Sequence, residues 1–256
     1  MYIKDLEHKL EFFKENGYLI LEDIYSDKEC NDVVNHAHQV LGPSDDLTPL
    51  MNIHKSSEII QRFMSNKKLL NFINSYFQDM ALGLQTEFFF MPPKTVGFNP
   101  HQDNTYVKAS SDSFVSAWCA LTDVDKNNGG LIIWPKTHNE EALETVDTGL
   151  SKHDNQDPNA TIRKTIVPEQ YNKESPIIKK GSVLLIHSWL VHASNTNNSD
   201  NSIGFSYPTI NKYIPERFNK KNDLALIHSI ILQESAFKLD AYSHAGARGL
   251  MQLMPY

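Results

Sequence analysis

His101-Gln102-Asp103 and the distant His192 are the residues that most constrain how this chain can fold. Two imidazoles and one carboxylate form the ligand set that holds a mononuclear non-haem Fe(II) and leaves coordination positions open. Thr105-Tyr106-Val107 after the first part, and the apolar run from Gly181 before the second, favour strands. We therefore predict that His101 and Asp103 share one face of a short strand, and that another strand brings His192 to them from about 90 residues downstream.

Segments on both sides of these residues resemble one known family. An apolar run follows a helix-like stretch at 13–21, Ser116-Ala-Trp118 opens a segment that continues through Asn127-Asn-Gly-Gly130, and Pro135-Lys-Thr-His138 follows. The pattern ends at 181–197, where Ser194 comes two residues after His192. Over about 200 residues the chain is similar to the phytanoyl-CoA dioxygenase-like Fe(II)/2-oxoglutarate oxygenases.

The resemblance implies a fold, a metal centre and a reaction. The implied fold is mainly β with α: a double-stranded β-helix, or cupin-like jelly roll, in which His101, Asp103 and His192 bind Fe(II). The implied co-substrates are 2-oxoglutarate and O₂. Ser194 and Trp118 correspond to the co-substrate pocket, with core packing as an equal alternative for Trp118. The implied reaction is hydroxylation of a small organic or acyl substrate, because Asp103 is present where halogenating relatives carry a small residue.

One position departs from that family. Eleven residues after His192, where the family has an arginine that pairs with the distal carboxylate of 2-oxoglutarate, this chain has Ile203. Arginine suits that task because its planar fork makes two parallel charge-assisted bonds. We therefore predict that iron binding survives while 2-oxoglutarate turnover is very weak, unless Lys94 or Lys212 replaces the missing cation.

A second resemblance begins at about residue 203. The Glu234-Ser235 pair and the run from Gly246 to Pro255 are similar to the catalytic module of soluble lytic transglycosylases, in which Glu234 corresponds to the general acid/base. The sequence stops at Tyr256, so we expect no glycan cleavage. The predicted domains are 1–202, an oxygenase domain with an incomplete last strand, and 203–256, a truncated transglycosylase-like fragment. Two alternatives to the hydroxylase stay open, namely a transglycosylase fragment acting on peptidoglycan and an inactive fusion product.

Composition limits the possible partners. The net charge of −7 argues against a nucleic-acid-binding surface. Cys30 and Cys119 lie far apart without a C-x-x-C, so neither a disulfide framework nor a zinc site is indicated. No apolar stretch of about 18 residues occurs and the first residues do not resemble a signal peptide, so we expect no membrane span and a cytoplasmic location.

Local patterns predict helices first and strands later. Ser26 and Glu29 form a capping box that opens a helix through about Leu41, and apolar spacing over 56–77 indicates one or two amphipathic helices. Strand signals follow at 84–90, 114–121 and 131–134. Phe205-Ser-Tyr is expected to supply part of the last strand, and 224–237 to form a C-terminal helical appendage. His138 and His187 are interpreted as hydrogen-bonded packing residues.

Overall fold

The computed structural model describes residues 3–41, 50–110, 112–149 and 163–200, and the backbone of 203–212. Residues 104–110 belong to a second compact unit and are described by themselves. The described helices are α1 (Ile3–Asn16), α2 (Asp27–Leu41), α3 (Glu58–Met64), α4 (Lys67–Phe77) and α5 (Asn104–Val107), with 3-10 turns at Ile53–Lys55 and Thr137–Glu140. The predicted appendage at 224–237 lies outside the described residues.

Ten strands are described, in three sheets. They are β1 (Tyr18–Leu21), β2 (Leu50–Met51), β3 (Ala81–Met91), β4 (Phe114–Ala120), β5 (Leu131–Ile133), β6 (Thr145–Asp147), β7 (Arg163–Thr165), β8 (Val183–His187), β9 (His192–Ser194) and β10 (Ile203–Lys212). Six of them form one sheet in the order β1-β8-β4-β10-β3-β2, while β5 pairs with β9 and β6 with β7. The strands predicted at 84–90, 114–121 and 131–134 correspond to β3, β4 and β5.

The six-stranded sheet is buried on both faces. Because side chains alternate along a strand, Val115, Ala117 and Cys119 of β4 pack with the helices, whereas Trp118 and Ala120 point to the opposite face and pack with β5. The same alternation holds in β8, where Leu185 faces the helices and Leu184 the other side. Strands covered on both faces have nearly continuous apolar sequences, and β4 and β8 have such sequences.

The predicted capping box is present at the start of α2. The backbone N–H of Ser26 donates to the Glu29 carboxylate at 2.8 Å, and the Glu29 N–H donates to the Ser26 hydroxyl at 3.3 Å. These reciprocal bonds satisfy two donors that a helix start leaves without partners. The stretch predicted as one or two helices forms two, because the side chain of Asn66 accepts from the N–H groups of Lys68 and Leu69 and so begins α4 anew.

Strand β10 lies between β3 and β4, inside the large sheet. Its backbone runs antiparallel to both, with Phe205 opposite Phe89 on one side and Ala120 on the other. Phe205-Ser-Tyr therefore takes a strand position, as predicted. The register begins with Ile203 opposite Met91 and shifts once, between Thr209 and Ile210.

The short strand predicted to carry His101 and Asp103 on one face is wrong. His101 forms an isolated bridge with His192, and Asp103 lies in a turn. Asn104–Val107 forms the short helix α5. The Asn104 side chain accepts from the Ala109 N–H at 2.8 Å and donates to the Ala109 carbonyl at 3.0 Å, which closes the turn after the helix. These bonds from an asparagine to nearby backbone outweigh the β preference of Thr, Tyr and Val.

Two further expectations concern the cysteines and the membrane. Cys30 and Cys119 are both free and buried. Within the described part of the chain, no helix combines the length and the apolar character that crossing a bilayer requires.

Candidate metal centre

Backbone pairing brings the two halves of the predicted ligand set together. The His101 N–H donates to the His192 carbonyl at 2.9 Å, and the His192 N–H donates to the His101 carbonyl at 3.0 Å. On its other side, β9 pairs with β5, where His192 stands opposite Ile133. The segment 98–101 thus lies beside β9 like a further strand, and it places two residues 91 positions apart directly opposite each other.

Close approach of the two backbones depends on small and polar residues. A Cβ at Gly97 would lie 1.9 Å from the carbonyl oxygen of Ser194, so only glycine permits this contact. The Ser194 hydroxyl accepts from the Phe98 N–H at 2.7 Å, and the Ser194 N–H donates to the Phe98 carbonyl at 3.2 Å. Ser194 therefore fastens the segment that carries His101 to the strand that carries His192.

Both imidazoles are oriented by backbone carbonyls. Nδ1 of His101 lies 2.7 Å from the carbonyl oxygen of Asn99, and Nδ1 of His192 lies 3.1 Å from that of Leu190. A carbonyl only accepts, so each Nδ1 carries a proton, and in a neutral ring of this tautomer Nε2 carries the lone pair that a metal needs. The Nε2 atoms lie 3.7 Å and 3.5 Å from Oδ1 of Asp103, for His101 and His192 respectively.

Three possible ligand atoms therefore converge on one point. One atom each from His101, Asp103 and His192 lies within 4.8 Å of the others, and this is the one such His/Cys/Asp/Glu group among the described residues. Burial, and then the neighbouring His192 ring, lowers the pKa of His101, which keeps its imidazole neutral. Neutral imidazole and carboxylate ligands with open positions fit a divalent iron ion.

Gln102, the middle residue of the motif, fixes the segment from behind. Its side chain is fully buried; Nε2 donates to the carbonyls of Glu141 and Trp189 at 2.6 Å and 2.7 Å, and Oε1 accepts from the Leu143 N–H at 2.9 Å. Three separate segments are thereby joined at the residue between the candidate ligands His101 and Asp103. Sequence reasoning did not identify this role, because its partners are backbone groups.

Asp103 has a hydroxyl partner that sequence reasoning also missed. The Ser116 Oγ on β4 donates to Oδ2 of Asp103 at 2.6 Å, while Oδ1 is the oxygen near both histidines. The one signal available in the sequence was a lone hydroxyl residue in an otherwise apolar, strand-like run.

The remaining predicted site residues fall in different places. Trp118 is buried on the face of β4 that also carries Ser116, two residues earlier, and it packs in the cluster between β4, β5 and β8. Ile203 begins β10, with its backbone opposite Met91. Glu234 lies outside the described residues. The assignments of Trp118 and Ser194 to a co-substrate pocket stay predictions.

The two other histidines singled out in the sequence line a separate cleft. His187 Nε2 donates to Asp112 at 2.7 Å, and its Nδ1 accepts from the Trp189 N–H at 3.2 Å. His138 Nε2 donates to the Lys14 carbonyl at 3.0 Å. Both rings are buried and hydrogen-bonded, as interpreted from sequence, and they border a cleft of about 270 Å³ that Lys14 and Asp112 also line.

Comparison with known proteins finds both resemblances. The profile described as phytanoyl-CoA dioxygenase matches residues 13–202, and the profile described as transglycosylase SLT domain matches residues 214–256. The peroxisomal phytanoyl-CoA dioxygenase of Bos taurus is 24% identical over 227 residues, which cover 74% of this chain and 63% of that protein. The chain thus spans less than two thirds of this relative's length.

Solved structures share the fold. The epimerase SnoN from nogalamycin biosynthesis, in complex with Fe3+, alpha ketoglutarate and nogalamycin RO, matches with a TM-score of 0.67 at 14% identity, over 84% of this chain and 92% of SnoN. EctD from S. alaskensis, with 2-oxoglutarate and 5-hydroxyectoine, matches with a TM-score of 0.62 at 19% identity, over 83% of this chain and 76% of EctD. These likenesses establish a mainly β, cupin-like fold with helices.

Proposed function

Because this chain belongs to the phytanoyl-CoA dioxygenase family over residues 13–202, we propose that it is an Fe(II)- and 2-oxoglutarate-dependent dioxygenase that hydroxylates a small organic or acyl substrate. The observation that carries the proposal is the convergence of His101, Asp103 and His192, with Nδ1 of each imidazole bonded to a backbone carbonyl. The same proposal includes the double-stranded β-helix as the full fold. A cytoplasmic location stays a prediction.

Each residue of the centre has a definite task in this proposal. Nε2 of His101, Nε2 of His192 and Oδ1 of Asp103 would hold the iron. Gln102 and Ser194 hold the two ligand-bearing segments together through backbone contacts. Bound iron, with 2-oxoglutarate and O₂, supplies the oxidising chemistry that hydroxylates an unactivated C–H bond. The protein contributes two imidazoles oriented by backbone carbonyls, a carboxylate held by Ser116 and an apolar cluster that includes Trp118.

Binding of 2-oxoglutarate is the step we propose to be impaired. The Ser194 hydroxyl accepts from the Phe98 N–H and still has its own hydrogen to donate to a carboxylate. A hydroxyl gives one neutral hydrogen bond, whereas the family's arginine gives two charge-assisted ones. With Ile203 at that position, we propose that iron binds normally and 2-oxoglutarate weakly.

Anaerobic titration with Fe(II) tests the metal centre. Wild-type protein should bind one equivalent, and His101→Ala should lose that site because one of three ligands is gone. His8→Ala, which removes an exposed histidine on α1, is the matched control and should bind like the wild type. Equal iron uptake by His101→Ala and wild type would contradict the assignment.

A second measurement tests the reaction class. Succinate formation from 2-oxoglutarate should require Fe(II), should be slow in the wild type, and should vanish in Asp103→Ala. Succinate formation that does not depend on Asp103 would contradict the proposal that this carboxylate binds the catalytic iron.

The transglycosylase-like match gives a second candidate function. It covers residues 214–256 and includes Glu234, outside the described residues. A glutamate acts on a glycan only when the sugar is held across it, and we propose that this chain does not cleave glycan strands. We propose that residues 1–202 and 203–256 differ in sequence origin. The division is not one of structure, because the backbone of 203–212 belongs to the six-stranded sheet.

A further inference from the structure

Ser116 occupies an unusual place in β4. All seven residues of this strand are buried, and Ser116 is its one hydroxyl residue. It pairs with Ile186 of β8 on one side and with Thr209 of β10 on the other, so the backbone at Ser116 is held from both sides. Because side chains alternate, Ser116 shares its face with Trp118 rather than with the residues that contact the helices.

A hydroxyl in such a strand needs a partner, because burying one without a hydrogen bond costs free energy. Ser116 finds this partner in Asp103, thirteen residues earlier in the chain. The Oγ–Oδ2 distance of 2.6 Å is typical of a hydroxyl that donates to an ionised carboxylate, the stronger class of hydrogen bond.

The two oxygens of Asp103 therefore have different surroundings. Oδ2 accepts from Ser116, while Oδ1 lies 3.7 Å and 3.5 Å from the Nε2 atoms of His101 and His192. A carboxylate held in this way presents one oxygen to a metal. Loss of the hydroxyl weakens the hold on Oδ2 and favours ligation by both oxygens, and a second bound oxygen would occupy a position that a co-substrate needs.

We propose that Ser116 is a positioning residue that restricts Asp103 to ligation through Oδ1. The inference rests on the proposed metal centre and deepens it, since it states how the third ligand is kept to one oxygen. Groups that orient metal ligands from behind typically change metal affinity by about 10–100-fold when they are removed.

Titration of the metal-free protein with Co(II) tests this role without any turnover. Ser116→Ala should bind Co(II) about 10–100-fold more weakly than the wild type. The intensity and position of the Co(II) d–d absorption should also change, because they report the number and arrangement of ligands. Ser116→Thr, which keeps the hydroxyl, should restore both properties.

Ser188→Ala is the matched control. Ser188 is also fully buried, and its hydroxyl has no hydrogen-bond partner among the described residues. Its removal should leave the Co(II) affinity and spectrum unchanged, which separates a metal-directed effect from the loss of any buried hydroxyl. If Ser116→Ala does not fold, Ser116→Cys takes its place, since a thiol is a weaker donor and should give an intermediate affinity.

Two outcomes are distinguishable. Wild-type affinity and spectrum in Ser116→Ala, or in Ser116→Cys if that variant is needed, would overturn the positioning role and leave the metal centre intact. A wild-type protein that binds no Co(II) would overturn the proposed centre itself, and this inference with it.

Discussion

Replacing Gln102 with leucine should destabilise the protein more than any ordinary surface change. The substitution keeps the approximate volume and removes three hydrogen bonds, to the carbonyls of Glu141 and Trp189 and from the N–H of Leu143. A typical bond contributes about 0.5–1.5 kcal/mol net, and a partner left buried without one costs about 1–3 kcal/mol. Partial relaxation of the loops toward water lowers the sum, so we expect the free energy of unfolding to fall by about 3–5 kcal/mol.

Urea denaturation of the metal-free protein measures this loss without any contribution from ligand binding. If the denaturant slope is near 3 kcal/mol per molar, the midpoint should fall by roughly 1 M or more. Gln39→Leu, at an exposed position on α2, is the matched control and should stay within about 0.5 kcal/mol of wild type. A change below about 1 kcal/mol in Gln102→Leu would show that the three segments do not depend on this side chain.

Three further predictions concern pH, co-substrate and the second motif. Burial lowers the pKa of His138 below its usual 6.5. As the pH falls below about 6.5, the unfolded chain therefore takes up the proton before the folded protein does. The free energy of unfolding decreases over this range, until the pH reaches the pKa of the folded protein. His138→Gln should flatten this slope in denaturation curves at pH 5, 6 and 7; an unchanged slope would contradict it. Ile203→Arg should strengthen 2-oxoglutarate binding by roughly two to four orders of magnitude, because an unpaired buried charge costs about 3–5 kcal/mol. If the wild type already binds 2-oxoglutarate with ordinary micromolar affinity, another cation has replaced the arginine, and Lys94 and Lys212 are the residues to mutate. Purified peptidoglycan should release no glycan fragments with wild type or Glu234→Gln, and release that depends on Glu234 would refute this.

The features that could be predicted are those with a local cause. The bonds between Ser26 and Glu29 join residues three apart, so their pattern is visible in the sequence and the helix begins where expected. The grouping of His101, Asp103 and His192 could also be predicted, because few residue types bind Fe(II) and their spacing is distinctive.

The remaining features depend on backbone contacts between distant segments. His101 and His192 are paired through main-chain N–H and carbonyl groups, which every non-proline residue has. The side chains in the sequence therefore do not indicate this pairing. The sequence shows Ser116 as a lone hydroxyl residue in an apolar run, but it does not indicate that Asp103 accepts its hydrogen bond. The helix at Asn104–Val107 was missed because the asparagine bonds outweigh the propensity of the residues that follow.

The position of β10 also decides where the oxygenase part of the chain can be cut. The family match ends at residue 202, one residue before β10 begins. A fragment stopped there would split the six-stranded sheet into a β1-β8-β4 piece and a β3-β2 piece. Two rows of backbone N–H and carbonyl groups would open in the middle of the core, which is a template for aggregation. A fragment meant to fold alone must therefore run at least through Lys212, whatever the ancestry of its last ten residues.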